Sequence, residues 1–306
     1  MSNFEFNKES DVYIYASGTY YKLHVNSINF SQSFRQGGYN TKTLHNQHEL
    51  HKGSTINSAN PAEFSFTIPF VQESNVYQHI PLQLALVNTE ATLGSFELYI
   101  DPSIDSTPSS DRKMYRITSC FIRSASLSFS PSQQILIDFV GEGSKLTRLP
   151  RTTFNYTTNY IDTSNLIRTV SKKIEVTVDS VILSSILRVN LEIQNNFSWN
   201  ANETVHNTLE VNNATTSVYP TDVTLSDRIL SGSIVQYVGN TASNLHTWKE
   251  NIPIRIRAAY TSSYQFDAQL TPCSFTNRLN PGDVFTQAYD FRLMGNPTNL
   301  NTFFTY

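Results

Sequence analysis

The sequence predicts a mainly β protein: two similar antiparallel β-sandwich or roll domains in tandem, each with one short helix. Three observations indicate this class. Apolar and polar residues alternate along many short segments, as they do in strands with one buried face. Charged residues make up 15% of the 306 residues, whereas the chain holds 16 tyrosines and 19 phenylalanines. The third observation is an internal repeat.

The repeat consists of four short matches that occur in the same order in both halves of the chain. They are Val25-Asn26-Ser27-Ile28 with Val178-Asp179-Ser180-Val181, Cys120 with Cys273, Asp138-Phe139 with Asp290-Phe291, and residues 61–67 with 220–226. They predict a first domain at 1–150 and a second at 151–306, with a linker rich in Thr, Asn and Tyr at about 144–169. A chain with two similar sheet units typically builds a symmetric assembly.

Alternating segments give the positions of the strands. In the first copy the inward-facing residues are Leu23 and Val25, then Phe64, Phe66 and Ile68, then Phe96, Leu98 and Ile100, then Ala125, Leu127 and Phe129, and the run 135–139. In the second copy they are Ile174, Val176 and Val178, then Val189, Leu191 and Ile193, then Val223 and Leu225, and Ile254, Ile256 and Ala258. Such alternation favours antiparallel sheets with one polar face.

Helix signals are few. The best is at residues 81–87, where Pro81 suits the first turn of a helix. A second short segment at 233–238 is its expected counterpart in the second copy.

Composition excludes several classes of protein. The net charge of −3 argues against a protein that grips nucleic acid through clustered Lys and Arg. No run of apolar residues is long enough to cross a bilayer, and the residues after Met1 do not form a secretory signal. We therefore expect synthesis in the cytoplasm, with Cys120 and Cys273 as reduced core residues of separate domains.

Two long polar segments, at about 35–60 and 194–219, precede a strand in each copy. Loops of this length in compact domains are usually functional or become ordered on a partner. Both contain aromatic or apolar residues that we expect to be exposed, which suits a hairpin arm that grips a neighbouring subunit. The residues of these arms are Arg35, Tyr39, Lys42, Leu44 and Leu50 in the first, and Phe197, Trp199 and Val205 in the second.

No residue pattern indicates a catalytic or cofactor site. His45, His48 and His51 are spaced by three, but no Cys or carboxylate ligand motif accompanies them, so a polar loop or interface is the better interpretation. Arg255 and Arg257 share one face of a strand, which favours a solvated or interfacial face over an anion site. We expect no catalytic residue, no bound metal and no cofactor.

The first copy carries a recognisable order of segments. The stretch of residues 20–34 is predicted to be a strand whose final segment is VNSINFS at 25–31. The segments YNTKTL at 39–44, GSTIN at 53–57 and PAEFSF at 61–66 follow it. This order resembles the major tail tube proteins of long-tailed bacteriophages, in a form with a duplicated tube domain. The resemblance implies a β-sandwich with one flanking helix and a long hairpin loop in each copy.

The resemblance also implies a function. Single-domain tube proteins stack as six-subunit rings, so a two-domain chain is expected to close a ring of three subunits with pseudo-sixfold symmetry. The arms would contact the next ring, and double-stranded DNA would pass through the channel without specific binding. The implied partners are further copies of the chain and the tape measure, tail terminator and distal tail proteins. The expected location is the virion tail, with synthesis in the host cytoplasm and no membrane.

Two other kinds of function are open on the sequence. One is a receptor-binding, baseplate or carbohydrate-binding double β-sandwich, although Trp199 and Trp248 are too isolated to form a glycan platform. The other is an enzyme, for which no constellation of residues is present.

Overall fold

A computed structural model describes residues 10–41, 44, 50–72, 79–86, 94–102, 113–151, 167–168, 172–199, 219–239, 248–259, 264–294 and 304–305. Within these residues the chain is almost entirely strand, with one short helix, and every strand pairing is antiparallel. The predicted mainly β class with antiparallel sheets is therefore confirmed.

The first half of the chain contains eleven of the strands and the helix. They are β1 (Asp11–Ala16), β2 (Thr19–Leu23), β3 (Ser27–Ser31), β4 (Phe34–Thr41), β5 (Leu50–Ala59), β6 (Ala62–Pro69), β7 (Val71–Gln72), α1 (Ile80–Leu86), β8 (Phe96–Asp101), β9 (Lys113–Phe129), β10 (Leu136–Gly143) and β11 (Lys145–Pro150).

The second half contains the remaining strands that the structure describes. They are β12 (Ile167–Arg168), β13 (Lys173–Val178), β14 (Val181–Ile182), β15 (Ile186–Trp199), β16 (Val223–Tyr237), β17 (Trp248–Ala259), β18 (Tyr264–Asn280), β19 (Thr286–Leu293) and β20 (Phe304–Thr305). Most strands of both halves belong to one continuous sheet, whereas β4–β5 and β7–β12 form separate two-stranded pairs.

The two halves share one order of strand pairing. In the first half the order is β2-β1-β8-β9-β10-β6-β3, and in the second it is β14-β13-β17-β18-β19-β16-β15. The hairpin that opens each order has two residues of positive φ at its tip, Ser17 and Gly18 in one and Asp179 and Ser180 in the other. This common order supports the predicted duplication, which remains a proposal.

The longest strands change partners along their length. The first part of β9 pairs with β8 and β11, and its last part pairs with β10 and β15. Ser119, with a φ of 50°, lies two residues before the pairing with β10 begins at Phe121. A strand that changes partners in this way carries the chain from one layer of a sandwich to the other.

One apolar core extends through both halves. Phe64 of β6 packs against Phe96 of β8, with ring centroids 5.9 Å apart, and joins the two layers of the first half. Phe129 packs against Phe266 at 4.9 Å and joins the halves. The helix α1 buries Leu82 against this core. The halves therefore share one hydrophobic core.

The strands β9 and β15 form the junction between the halves. They pair in register from Val189 with Phe129 to Gln194 with Ser124. Asn195, which is fully buried, continues the junction because its Nδ2 donates hydrogen bonds to the carbonyls of Ala85 at 3.0 Å and Ile122 at 2.9 Å.

The structure corrects two details of the sequence prediction. Residues 80–86 form the predicted first helix, but 233–237 belong to β16, because Ile234 is buried on a strand that pairs on both sides. The predicted linker begins as the strand β11, which pairs with β9; residues 152–166 lie outside the described part of the chain. Both cysteines are free and buried, as predicted, and burial raises the pKa of each thiol.

Candidate assembly surfaces

The first predicted arm is the β4–β5 hairpin, and its root is held by hydrogen bonds. Asn60 accepts from Arg35 Nε at 2.9 Å and donates through Nδ2 to Ser33 Oγ at 2.7 Å. Gln32 Nε2 donates to the carbonyl of Asn60 at 2.9 Å and to that of Ser144 at 3.0 Å. The hairpin is therefore fixed to the body of the first half at its base.

The same root contacts the second half. Ser144 Oγ donates to the carbonyl of Pro220 at 2.6 Å, just before β16 begins. Tyr219 packs its ring against Phe34 at a centroid distance of 6.2 Å, and the Lys145 ammonium lies 4.7 Å from the Tyr219 ring centroid. The two regions predicted to carry the arms are thus adjacent at their bases.

The predicted residues of the first arm are placed only in part. Arg35 is exposed on β4, and Leu44 is fully exposed. Tyr39 and Leu50 lie in β4 and β5, but their side chains are outside the described part of the structure, as is Lys42. The stacking role of these residues remains a prediction.

The second arm does not expose its aromatic residues as predicted. Phe197 is only 5% exposed, and Trp199 is partly buried, because β15 continues through both and pairs with the start of β16. Phe121 of β9 covers them, with centroid distances of 6.1 Å to Phe197 and 5.7 Å to Trp199. The expectation of exposure is therefore wrong, and Val205 lies outside the described residues.

A polar cluster that the sequence did not reveal secures this region. Glu142 accepts a hydrogen bond from Trp199 Nε1 at 2.9 Å and another from Arg123 Nε at 2.8 Å. The Arg123 guanidinium also lies 4.5 Å from the centroid of the Phe197 ring. These residues come from three strands, so no spacing along the chain could have brought them together before the pairing was known.

The common pairing order shows which positions of the two halves correspond. Phe139 pairs with Phe66 and Ala125, and Phe291 pairs with Gly232 and Phe275. One strand further, Phe66 pairs with Ile28 and Gly232 pairs with Leu191. Counting along the strands from these positions, Phe129 corresponds to Leu279 and Phe197 to Phe34.

These corresponding residues differ sharply in exposure. At the junction Phe129 is fully buried and Phe197 is 5% exposed. Their counterparts, Leu279 of β18 and Phe34 of β4, are 55% and 44% exposed. Large apolar side chains in these positions are thus covered at the β9–β15 junction and much more exposed at Leu279 and Phe34, where Tyr219 contacts only an edge of the Phe34 ring.

One face of the continuous sheet is polar. Its side chains alternate with the core residues of β3, β6, β10, β9, β15, β16, β19 and β18, and many are Ser, Thr or Asn. Thr67 Oγ1 donates to Asp138 at 2.5 Å, and Ser128 Oγ donates to Asn190 Oδ1 at 3.1 Å. The charged residues that alternate onto this polar face include Glu63, Asp138, Glu142, Glu192, Asp227, Asp290, Arg188, Arg278 and Arg292.

The side chains considered as ligand sites do not form one in the described residues. Arg255 and Arg257 share a strand face, as predicted, and each is paired with a carboxylate, Asp267 and Glu175. No group of three metal-ligating side chains occurs in the part of the chain that the structure describes. His45 and His48 lie outside that part, as does the side chain of His51.

Among the described residues, no helix combines the length and the apolar character needed to span a membrane.

Comparison with known proteins identifies the family. No curated protein matches the chain. The family model of the bacteriophage baseplate tube proteins matches residues 2–305, which is nearly the whole chain. That family is structural and is not a family of enzymes, which agrees with the β architecture and the polar sheet face described above. The chain belongs to the bacteriophage baseplate tube protein family.

Proposed function

We propose that three copies of this chain close into a ring with pseudo-sixfold symmetry, and that such rings stack into a tube segment of the phage tail. The observation that carries the proposal is the contrast in exposure between the junction and the corresponding positions on β18 and β4. Phe129 and Phe197 are buried inside the chain, whereas Leu279 and Phe34 are exposed and would be buried by neighbouring copies in the ring.

The contact needed is head-to-tail, because the exposed surfaces around Leu279 and Phe34 differ from each other. The second half of one copy would meet the first half of the next, as the first half meets the second within the chain. A heterologous contact of this kind produces a closed ring when its rotation is a whole fraction of a turn. Closure also removes the terminal strand of the sheet, which is an aggregation hazard in a free subunit.

The polar face of the sheet would line the channel. Among the described residues this face holds Ser, Thr and Asn side chains together with more carboxylates than arginines. Double-stranded DNA would slide along such a surface, since it lacks the clustered cations that hold phosphates. No cofactor or membrane is part of this function.

The β4–β5 hairpin would contact the next ring of the stack. Its root is rigidly held, and Leu44 is fully exposed between its two strands. Tape measure, tail terminator and distal tail proteins would meet the ends of the tube or its lumen. The subunits would assemble in the host cytoplasm and end in the virion.

The family match favours a location in the baseplate rather than along the whole tail. A baseplate tube uses the same ring and channel over a short distance. The proposal therefore covers both a baseplate segment and a major tail tube, and the length of native assemblies separates them.

The assembly state of the purified chain tests the proposal. Mass measurement in solution and negative-stain imaging should show three-chain rings and short stacks as concentration rises. Phe34→Ser and Leu279→Ser should each raise the concentration for half-assembly about tenfold or more, since burial of such a side chain contributes about 1.5–3 kcal/mol. Ile182→Ser is the matched control, because Ile182 is a comparably exposed apolar side chain on β14, a strand that does not pair in the proposed contact. A chain that stays monomeric at all concentrations would overturn the proposal.

A further inference from the structure

We infer that the edge of β18 is the docking strand for β3 of a second copy, and that Trp248 and Lys249 shield this edge in the free chain. The inference rests on the proposed ring and adds the residues that pair and the contact that must open. It follows from a difference between two corresponding strands, β8 and β17.

The junction inside the chain supplies the register of the contact between copies. Within the chain, Ser126 of β9 pairs with Glu192 of β15 and Ala125 pairs with Ile193. The corresponding residues are Thr276 and Phe275 of β18 on one copy. On the next copy they are Asn29 and Phe30 of β3. The predicted pairs between copies are therefore Thr276 with Asn29 and Phe275 with Phe30.

The aromatic cover of the junction has a counterpart as well. Phe266, which covers Phe129, pairs with Ala258 in the second half, and Tyr115 pairs with Ile100 at the same place in the first. Tyr115 already packs against Phe30 of β3, with centroids 5.2 Å apart. In the ring, Tyr115 of the next copy would cover Leu279.

The two halves differ at the edge in question. In the first half β8 begins at Phe96, which pairs with Cys120, and the edge of β9 beyond that point is taken by β15. In the second half Ile254 of β17 corresponds to Phe96. The strand β17 begins at Trp248, six residues before Ile254. The added residues continue along β18 as far as the pair of Trp248 with Thr276.

This added segment therefore occupies the place that β15 takes at the junction. Lys249 pairs with Phe275, and the Lys249 ammonium is held by the Asp179 carboxylate at the β13–β14 turn. The segment is only loosely fitted to the sheet: its register shifts between Lys249 and Ile252, Asn251 has a φ of 58°, and Trp248 is 66% exposed. A short irregular strand of this kind can be displaced by a better partner at low cost.

The physical consequence is control over self-association. A free β edge next to exposed Leu279 would pair indiscriminately, and the shield blocks it until a second copy presents β3 together with its apolar cover. The shield thus raises the concentration at which rings form without preventing them.

Disulfide trapping tests the register. A chain with Asn29→Cys and Thr276→Cys should, on mild oxidation of assembled protein, give linked dimers and covalently closed trimers on a non-reducing gel. The two sites lie seven strands apart within one chain, so the link must join different copies. The native cysteines are buried with raised thiol pKa values, so they stay unreactive.

Asn29→Cys with Ser274→Cys, two residues out of register, should link at least about fivefold less. Equal trapping of both pairs would overturn the register.

Release of the shield is tested separately. Lys249→Gln removes the ion pair with Asp179 and should lower the concentration for half-assembly about threefold or more, with faster assembly. Lys173→Gln, which removes a comparable surface ion pair on the neighbouring strand β13, should leave assembly unchanged. If Lys249→Gln behaves like the control, the shield is refuted.

The outcomes separate this inference from the proposed function. Rings of three chains without the Asn29–Thr276 link, and with no effect of Lys249→Gln, would reject the inference and leave the ring intact. Absence of rings in every variant, Lys249→Gln included, would reject the ring itself.

Discussion

The indole Nε1 of Trp199 donates a hydrogen bond to Glu142 Oε2 at 2.9 Å, across 57 residues of sequence. Through Glu142 the second half of the chain is tied to Arg123 of the first, next to the last pairs of the β9–β15 junction. The carboxylate thus holds together the contact that we take as the template for the ring.

Loss of this carboxylate should weaken the junction. Glu142→Ala removes the acceptor of the partly buried Trp199 indole N–H and of Arg123 Nε, so the free energy of unfolding should fall by about 1–3 kcal/mol. Glu63→Ala is the matched control, because Glu63 pairs with Glu142 in register but is exposed. Urea unfolding of both variants gives the comparison; equal losses would contradict the role of Glu142.

The buried ion pair of Arg151 with Asp101 should be sensitive to loss of one partner. The two side chains are 3% and 0% exposed, with Nε and Oδ2 2.7 Å apart. Arg151→Leu removes the cation that faces the buried Asp101 carboxylate and should lower the free energy of unfolding by about 3–5 kcal/mol. The double variant with Asp101→Leu should cost less than Arg151→Leu alone. A double variant that is worse than the single one would contradict this account.

Gly141 should tolerate no side chain. A Cβ at this position would lie 2.2 Å from Phe64 Cζ and 2.5 Å from the carbonyl oxygen of Phe121. Gly141→Ala should therefore lower the thermal midpoint, with a cost of roughly 1–3 kcal/mol from overpacking. At Gly239 nothing lies within 4 Å of the added Cβ, so Gly239→Ala is the control. Similar midpoints for the two variants would show that the Phe64 contact can relax.

Acid should destabilise the fold through His79. Burial against Phe70 lowers the pKa of His79 from 6.5 to about 4, so the folded state keeps the ring neutral. The contribution of the neutral His79 ring to the free energy of unfolding is complete above pH 6.5. It is lost as pH falls toward 4, because the unfolded chain binds the proton at a higher pH than the folded chain does. The loss amounts to about 3 kcal/mol at most. His79→Phe, which keeps the aromatic stack, should remove this part of the pH dependence; an unchanged profile would rule it out.

Removal of the first arm should separate folding from stacking. A chain without Tyr39–Leu50, with the root at Arg35 and Asn60 kept, should unfold like the full-length protein because that root carries its own hydrogen bonds. It should form single rings that do not polymerise. Normal tubes from this variant in electron micrographs would exclude the arm as the stacking element.

The pattern of buried residues could be read from the sequence, because alternation reports directly which face of a strand is covered. Phe64, Phe66 and Ile68 are buried in β6, as the alternation predicted. The exposure of Phe197 could not be predicted, since the strand that covers it, β9, is distant in sequence.

The short matches that predict an internal repeat agree with the strand pairing to different degrees. Asp138-Phe139 and Asp290-Phe291 occupy corresponding strands and positions, because both pair with the same neighbours. The match of 25–28 with 178–181 does not: the first lies at the start of β3 and the second at the β13–β14 turn. Asn, Asp and Ser recur in turns for local reasons, so short matches rich in them carry little information about a repeat.

The proposed ring depends most on the contact between neighbouring copies. A three-dimensional reconstruction of the assembled full-length protein by electron cryo-microscopy shows this contact directly. The expected result is a ring of three chains in which β3 of each copy continues the sheet beyond β18 of its neighbour and the polar face surrounds the channel. A ring of six chains, a two-fold dimer, or a ring in which β3 does not pair with β18 of a neighbouring copy would contradict it.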